Sequence, residues 1–372
     1  MANAQTAPED GLAAAAARLR AWTAACLPMW AERARLPDGS WVEHLHLDGT
    51  PDVAAERRWR VMARQAVAYA QATTAGWVDG RAVAEGSFAV YWAQGLVDGR
   101  MVHRILPSGA ISDASHDLYD HAFGLLACAR LFELTGRPDY LRRADVLLRY
   151  VESQQHSAGG FREGSLKPLP RRQNPHMHLL EASLALFAAS GDAAHLQIAR
   201  EVMTLFEARF FDGGIVREFF ADDWSLDPER GDVVEPGHAV EWVWLLGEFD
   251  RATGEDHAAQ ARALYARALD RRPLFLFDEE RADGETVRET SRLWVQTETV
   301  KAHLAMAERG EPAARGHAAT LIDAMLGASL RPDGTWWDQL NRCGANVATT
   351  IPVSTMYHIV LMAVEAERVA AI

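Results

Sequence analysis

Two series of residues repeat along this chain at nearly one interval, and this repeat constrains the fold more than any single motif. Six chemically capable side chains are spaced 57 or 60 residues apart, namely Arg64, His121, His178, His238, Glu298 and His358. In step with them run six glycines, each followed by a short hydrophobic or aromatic run, namely Gly39, Gly99, Gly160, Gly214, Gly284 and Gly334. A fixed internal period indicates a repeat architecture built from one supersecondary unit.

Helical periodicity dominates the segments between these glycines. The hydrophobic pattern predicts twelve helices, near residues 9–30, 53–75, 81–97, 115–135, 137–155, 176–190, 192–211, 236–253, 255–272, 290–309, 312–329 and 352–371. Very short links with turn chemistry join some neighbours, as at Thr135-Gly136-Arg137-Pro138. The other connections are long, carry the glycine runs and are expected to form small β-hairpins or turns. This alternation returns every helix pair to the same face.

Six helix pairs either stack as an open solenoid or close into a ring. A solenoid needs polar capping repeats at its ends, but the last predicted helix is as apolar as the middle ones and carries His358 in phase with the series. We therefore predict an all-α fold, a single (α/α)6-barrel domain over residues 1–372, with six helix hairpins and short β-hairpin loops at the active-site mouth. The helices after the long connections should form the inner ring, with all six reactive side chains converging near one mouth.

The composition limits the partners of such a barrel. Hydrophobic residues make up 49% and charged residues 24%, which is typical of a soluble globular protein. A net charge of −13 disfavours nucleic acids and anionic membranes, and no apolar run reaches membrane-spanning length. Three cysteines without close pairs disfavour disulfides and structural zinc and indicate a reducing cytoplasm. A homodimer is one assembly that the sequence allows.

Two predicted inner helices begin with a proline and carry a histidine three residues before a glutamate. The pairs are His178 with Glu181 and His238 with Glu241, which share one helix face. Because a helix N-terminus disfavours imidazolium, both histidines are expected to be neutral at pH 7. A neutral histidine whose tautomer is fixed by a carboxylate has the properties of a general base.

Five motifs, in order along the chain, resemble those of the N-acylglucosamine 2-epimerase superfamily. They are MARQAVAYA with Arg64, QNPHMHLLEA with Asn174, Met177, His178 and Glu181, PGHAVEW with His238, Glu241 and Trp242, RLWVQTE with Trp294 and Glu298, and MYHIV with His358. The resemblance covers about residues 50–365 and implies an (α/α)6 barrel. It also implies cofactor-free proton transfer at C2 of an open-chain aldose through a cis-enediolate.

Within that superfamily, DLYDHAF (117–123) and RLWVQTE are most similar to mannose isomerases, so the expected reaction interconverts D-mannose and D-fructose. The implied base at C2 is His358 or His238, with His358 favoured. Ring opening would be assisted by His178, the enediolate stabilised by Arg64, and His238 oriented by Glu241. The expected substrate-binding residues are Asn174, Met177, Glu181, Tyr119, Phe123, Trp242, Trp294 and Glu298.

Several alternatives remain open at this point. An aldose or N-acylglucosamine 2-epimerase shares the enediolate but returns the proton to the opposite face of C2. A glycoside hydrolase needs two carboxylates across the bond, for which Glu241 and Glu298 are available. An inert sugar-binding protein would need no histidine pair. The two His-x-x-Glu pairs also suggest a metal, but no matching acidic pair accompanies them, and no nucleotide fingerprint occurs, so neither metal nor cofactor is expected.

Overall fold

A computed structural model describes residues 11–165, 169–269 and 274–372, and within these ranges it contains twelve α-helices. They are α1 (Gly11–Arg33), α2 (Arg60–Thr74), α3 (Arg81–Gly95), α4 (Leu118–Thr135), α5 (Asp139–Ser153), α6 (Gln173–Ser190), α7 (Leu196–Leu205), α8 (Pro236–Thr253), α9 (Ala258–Leu269), α10 (Leu293–Glu308), α11 (Ala314–Ala328) and α12 (Thr355–Ala370). Residues 9–10 and 270–272 of the predicted first and ninth helices lie outside the described residues.

The six even-numbered helices form a closed inner ring. Each packs against the next, and α12 packs against α2 to complete the circle. The odd-numbered helices lie outside, where α1 covers α12 and α11, and α3 covers α2 and α4. The inner helices are buried nearly all round, whereas α5 is buried only at Tyr140, Ala144, Leu147 and Val151. The prediction of an (α/α)6 barrel, rather than an open solenoid, is confirmed.

The glycine series marks a tight turn in each of the long connections. All six glycines have positive φ, from 67° at Gly160 to 104° at Gly214, a backbone region that residues with a Cβ rarely adopt. At Gly214 a Cβ would also lie 2.9 Å from the carbonyl oxygen of Ala263 on α9. The regular spacing of glycine therefore reflects a repeated tight turn.

Sixteen short strands in the described residues form a second ring above the helices. They are β1 (His44–His46), β2 (Arg57–Arg58), β3 (Leu96–Val97), β4 (Arg100–Met101), β5 (Arg104–Ile105), β6 (Ile111–Asp113), β7 (Arg171–Arg172), β8 (Phe211–Asp212), β9 (Ile215–Val216), β10 (Phe219–Phe220), β11 (Val233–Val234), β12 (Glu279–Arg281), β13 (Thr286–Arg288), β14 (Thr290–Arg292), β15 (Gln339–Asn341) and β16 (Thr350–Pro352).

Antiparallel pairing joins each long connection to the next around the mouth. The pairs are β2–β5, β7–β10, β11–β12, β14–β15 and β16–β1, and an isolated bridge between Asp117 and Gly164 supplies the sixth link. We call this circle of paired connections the rim. It satisfies the backbone of the loops and holds their side chains over the ends of the inner helices.

The rim also explains where the predicted helix boundaries are wrong. Residues 53–59 do not extend α2, because Arg57 and Arg58 pair in β2. Pro352 does not open α12, because it pairs with His44 in the rim. The short links behave as predicted: Gly136, Gly191 and Gly254 adopt left-handed conformations that end α4, α6 and α8. None of the described helices combines the length and apolarity needed to cross a bilayer.

Candidate active site

A cavity of about 330 Å³ lies where the first turns of the inner helices meet the rim. Its volume is in the range of small-molecule sites. The lining residues are Arg58, Arg64, Tyr119, Asn174, His178, Glu235, His238, Glu241, Arg292, Trp294, Asp338, Pro352, Ser354, Thr355 and His358. All five predicted catalytic residues are among them, together with the predicted binding residues Tyr119, Asn174 and Trp294.

His121 does not converge on this cavity with the rest of the series. Its Nδ1–H donates to the carbonyl of Asp117 at 3.0 Å, and its Nε2 accepts the N–H of Met101 at 3.1 Å. The ring stacks on Tyr150 of outer helix α5. Periodicity placed His121 on the correct helix, but the side chain turns outward, so the expectation that all six would meet is wrong.

Five predicted substrate-binding residues do not line the cavity. Trp242 is fully buried, stacks on Phe206 at 4.3 Å between ring centroids, and donates from Nε1 to Gln173. The other four are also buried and lie behind the lining residues, namely Met177, Phe123, Glu181 and Glu298. We therefore no longer expect these five to touch a substrate: Trp242 packs outward against Phe206, which follows α7, and the other four are buried beneath the cavity.

Two histidines of the cavity are held by glutamates of that lower layer. His358 donates from Nδ1 to Glu298 at 2.8 Å, and His178 donates from Nδ1 to Glu181 at 3.0 Å. Glu181 also accepts a short hydrogen bond from the hydroxyl of Tyr357. Burial lowers the pKa of His358 to about 4 and also lowers the pKa of His178. Both imidazoles are therefore neutral at pH 7, with Nε2 left as the basic atom.

His238 behaves differently, and the expectation of a neutral ring is wrong. Although burial opposes its charge, the carboxylates of Glu218 and Glu235 outweigh that effect and raise the pKa of His238 to about 9. Its Nδ1 donates to Glu218 at 3.0 Å, so Glu218 orients this ring and Glu241 does not. Its Nε2 lies 2.9 Å from Nδ2 of Asn174. An imidazolium at His238 requires this amide to be turned so that Oδ1, which has no partner among the described residues, accepts from Nε2–H.

Glu241 faces the cavity without a hydrogen-bonding partner for its Oε1 in the described part of the chain. The carboxylate is 1% exposed, and Nε2 of His178 lies 4.0 Å from Oε1. Burial, reinforced by the nearby charge of Glu298, raises the pKa of Glu241 well above its ordinary value. A buried carboxyl group of this kind is neutral and can donate a proton.

Arg64 has no carboxylate partner among the described residues, which is unusual for an arginine only 7% exposed. Its Nη2 donates to the hydroxyl of Tyr119 at 2.5 Å, and its guanidinium lies 4.2 Å from the ring centre of Phe123. Its charge is therefore available to an anion in the cavity. Nearby, the Trp294 ring contacts both His238 and His358, at 5.2 and 5.9 Å between centroids.

The rim contributes lining residues that sequence reasoning missed. Arg58 is paired with Glu43, and Arg292 donates to Glu235 at 2.8 Å. Asp338 accepts from Thr355 at 2.7 Å. These residues lie in short strands and loops without helical phase, so no periodicity indicates which way they point. The signal for Glu218 was its place in the run Gly214-Ile-Val-Arg-Glu-Phe-Phe.

Two clusters at the cavity have the composition of a metal site, one with His178, Glu181 and Glu241 and one with Glu218, Glu235 and His238. In the first, Nδ1 of His178 is already engaged by Glu181. In the second, the raised pKa of His238 keeps a proton on the ring that a metal would have to displace. Both sets of donor atoms fit hydrogen-bonded acid–base pairs better than a metal centre.

Comparison with known proteins agrees with this geometry. The model of the N-acylglucosamine 2-epimerase family matches residues 39–362. The chain belongs to this family. The relatives of this chain in the family are sugar isomerases and epimerases, and this chain is an enzyme of that class.

Three relatives show how the similarity is distributed. A mannose-6-phosphate isomerase of Rhizobium meliloti is 36% identical, over 92% of this chain and 94% of its own length. A D-mannose isomerase of Thermobifida fusca is 28% identical over 66% of this chain and 71% of its own length. A crystal structure of a D-mannose isomerase superposes with a TM-score of 0.86 at 19% identity, over 99% of this chain and 100% of that chain, which shows the shared fold.

Proposed function

We propose that this protein is a cofactor-independent aldose–ketose isomerase that interconverts D-mannose and D-fructose through a cis-enediolate. The observation that carries the proposal is a pair of histidines with opposite protonation states beside one indole. His358 is neutral, with a pKa lowered to about 4, while His238 is charged, with a pKa raised to about 9. Two titratable groups whose surroundings separate their pKa values in this way are suited to be base and acid.

The catalytic sequence follows from these positions. His178, held by Glu181, assists the opening of the sugar ring. Nε2 of His358 removes the proton from C2 and delivers it to C1 on the same face, while His238 relays a proton between the oxygens on C1 and C2. The enediolate carries negative charge, and Arg64, which has no carboxylate partner among the described residues, is the cation that stabilises it.

The charges around the cavity favour an uncharged sugar over a phosphorylated one. Arg58 and Arg292 are neutralised by Glu43 and Glu235, and the lining also contains Glu241 and Asp338. A phosphate dianion would find Arg64 as the one lining arginine without a carboxylate partner among the described residues and would lie against Asp338, whereas sugar hydroxyls can hydrogen-bond both to Asp338 and to the neutral Glu241. Since one relative is a mannose-6-phosphate isomerase, the phosphorylated sugar is the comparison that tests this part of the proposal.

A 2-epimerase is the second candidate, because His238 and His358 both contact Trp294 and provide two proton carriers around one cavity. NMR of D-mannose incubated with the enzyme in D₂O separates the candidates. Fructose supports the isomerase, glucose deuterated at C2 supports the epimerase, and absence of exchange contradicts both. Running D-mannose 6-phosphate in parallel decides between the free and phosphorylated sugar.

We also propose a cytoplasmic location. The chain's cysteines are free thiols, with Cys26 and Cys128 buried and Cys343 exposed, which suits a reducing compartment. A homodimer stays a prediction.

A further inference from the structure

Beneath the cavity lies a lysine to which the proposed mechanism assigns no role. Lys301 on α10 is fully buried, and its Nζ lies 2.7 Å from Oε2 of Glu298. The same ammonium is 3.6 Å from the ring centre of Trp244. Buried lysines are rare because desolvation disfavours their charge. Here the surrounding carboxylates, Glu298 first, outweigh burial and raise the pKa of Lys301, so it is charged.

The layer below the sugar contains three glutamates and two cations. The glutamates are Glu181 on α6, Glu241 on α8 and Glu298 on α10, each 3% exposed or less. The cations are Lys301 and Arg64. The other titratable groups that influence these carboxyls are His178, His238, His358, Tyr119 and Tyr357. The charge of His238 is balanced by Glu218 and Glu235, which do not belong to this layer. The three carboxylates of the layer therefore face two cations, one negative charge is unbalanced, and one carboxyl group keeps its proton.

Hydrogen bonding identifies which carboxyl group that is. Glu298 accepts the N–H of His358 at Oε1, and its Oε2 forms an ion pair with the ammonium of Lys301 at 2.7 Å without hydrogen-bond geometry. Glu181 receives donors from His178 and Tyr357. Oε1 of Glu241 receives none among the described residues. Ionised carboxylates need donors, and a protonated carboxyl group needs fewer, so the proton belongs on Glu241.

We propose that Lys301 is a positioning residue that decides where this proton resides. It keeps Glu298 ionised, so that Glu298 holds His358 with Nε2 facing the sugar, and it thereby leaves the proton on Glu241. Glu241 then presents an O–H group to a sugar oxygen, next to His178. The kinetic consequence rests on the proposed function, whereas the charge arrangement does not.

Replacing the ammonium with a neutral chain of similar length tests the proposal. Without Lys301, the pKa of Glu298 rises, and below that pKa the carboxyl no longer fixes His358. In a plot of kcat against pH, the acid limb is the range in which activity falls as pH is lowered. In Lys301→Met this limb should therefore lie at least about one pH unit higher than in the wild type, with activity recovering at higher pH. Lys301→Arg keeps the charge and should keep the wild-type limb.

His303→Leu is the matched control, since His303 is buried on the same helix but contacts Tyr265 and His317 in the outer layer. It should lower the melting temperature without moving the limb. An acid limb in Lys301→Met that stays at its wild-type pH, whether activity is high or uniformly low, overturns the proposal. An inactive wild-type enzyme would instead refute the proposed function.

A spectroscopic measurement needs no turnover and serves if Lys301→Met does not fold. Infrared difference spectra of wild type against Glu241→Gln at pH 7 should show the carbonyl stretch of one un-ionised carboxylic acid, present in the wild type and lost in the variant. In ¹⁵N spectra, His358 should be neutral with its proton on Nδ1. A carboxylate band lost in place of the acid band contradicts the assignment of the proton to Glu241.

Discussion

The raised pKa of His238 yields a sharp prediction for the variant Glu218→Gln. The variant removes the carboxylate that accepts from Nδ1 at 3.0 Å while keeping an amide of the same shape. Burial then opposes the charge on His238 with only Glu235 and Glu241 left to favour it. We expect its pKa to fall from about 9 towards its ordinary value of 6.5. That change corresponds to about 3 kcal/mol of preferential stabilisation of the imidazolium.

The size of the effect on catalysis depends on pH. At pH 8 the protonated fraction of His238 drops from about 90% to about 3%, so kcat/KM should fall about 30-fold, whereas at pH 6 it should fall less than about 2-fold. The variant should also be less stable than the wild type, but with the opposite dependence on pH. In the wild type, the stabilisation that comes from charged His238 is fully present below pH 6.5 and is lost as pH rises through about 9. The destabilisation of the variant should therefore be largest at acid pH.

The assay is fructose formation from D-mannose between pH 5 and 9.5, with thermal unfolding measured in the same buffers. Glu163→Gln is the matched control, because Glu163 is a buried glutamate of the preceding connection that pairs with Arg171 outside the cavity. In the Glu163→Gln variant, the alkaline limb of the plot of kcat/KM against pH should match that of the wild type. A Glu218→Gln enzyme that loses the same factor at every pH would refute the assignment of His238 as a charged acid.

Four further predictions follow from the site. His358→Asn and His238→Asn should each lower kcat at least about 100-fold. His358→Asn should change the melting temperature little, whereas His238→Asn should also lower it, because the buried Glu218 loses its charged partner; variants that are destabilised but active would show that these histidines are structural. The wild-type kcat/KM profile should have its acid limb near pH 4, from His358, and its alkaline limb near pH 9, from His238; limbs that both lie between pH 6 and 7 would contradict the separated pKa values. Met177→Leu should cost less than about 1.5 kcal/mol of stability and leave KM unchanged, since Met177 lies behind the cavity; a large rise in KM would restore it as a contact. Exhaustive chelation should leave turnover unchanged, and loss of activity restored by a divalent ion would favour a metal at the His-x-x-Glu pairs.

The sequence predicted the parts of this molecule that depend on periodicity. Helices buried on all sides, tight turns at glycine and the repeat itself leave regular signals, and these led to the closed barrel and to the helices that carry Arg64, His178, His238 and His358. The same signals cannot say which way a side chain turns within a helix that is buried all round. His121 and Trp242 were misplaced for this reason, because the inner helices have apolar neighbours on both their inward and their outward faces.

Partners that come from a rim connection and not from the same helix were beyond the reach of helical spacing. Glu241 seemed the natural partner of His238 because it lies three residues away, yet the orienting carboxylate is Glu218, which precedes it by twenty residues and reaches the ring through the rim. The predicted protonation state of His238 was wrong because the carboxylates that surround the ring were not recognised. A helix N-terminus does disfavour imidazolium, but the carboxylates of Glu218, from the rim, and of Glu235, the N-cap residue of α8, have the larger effect.

The place of α12 in the inner ring ties the assembly of the barrel to its chemistry. This helix closes the gap between α10 and α2, while β16 before it pairs with β1, so the last repeat joins the first in both rings. The same helix carries His358. Contacts between residues some three hundred positions apart form slowly, because the entropy of closing so long a loop must be overcome first. During refolding, helical circular dichroism should therefore return before enzymatic activity, and the burst of activity should coincide with protection of the backbone amides that pair β1 with β16.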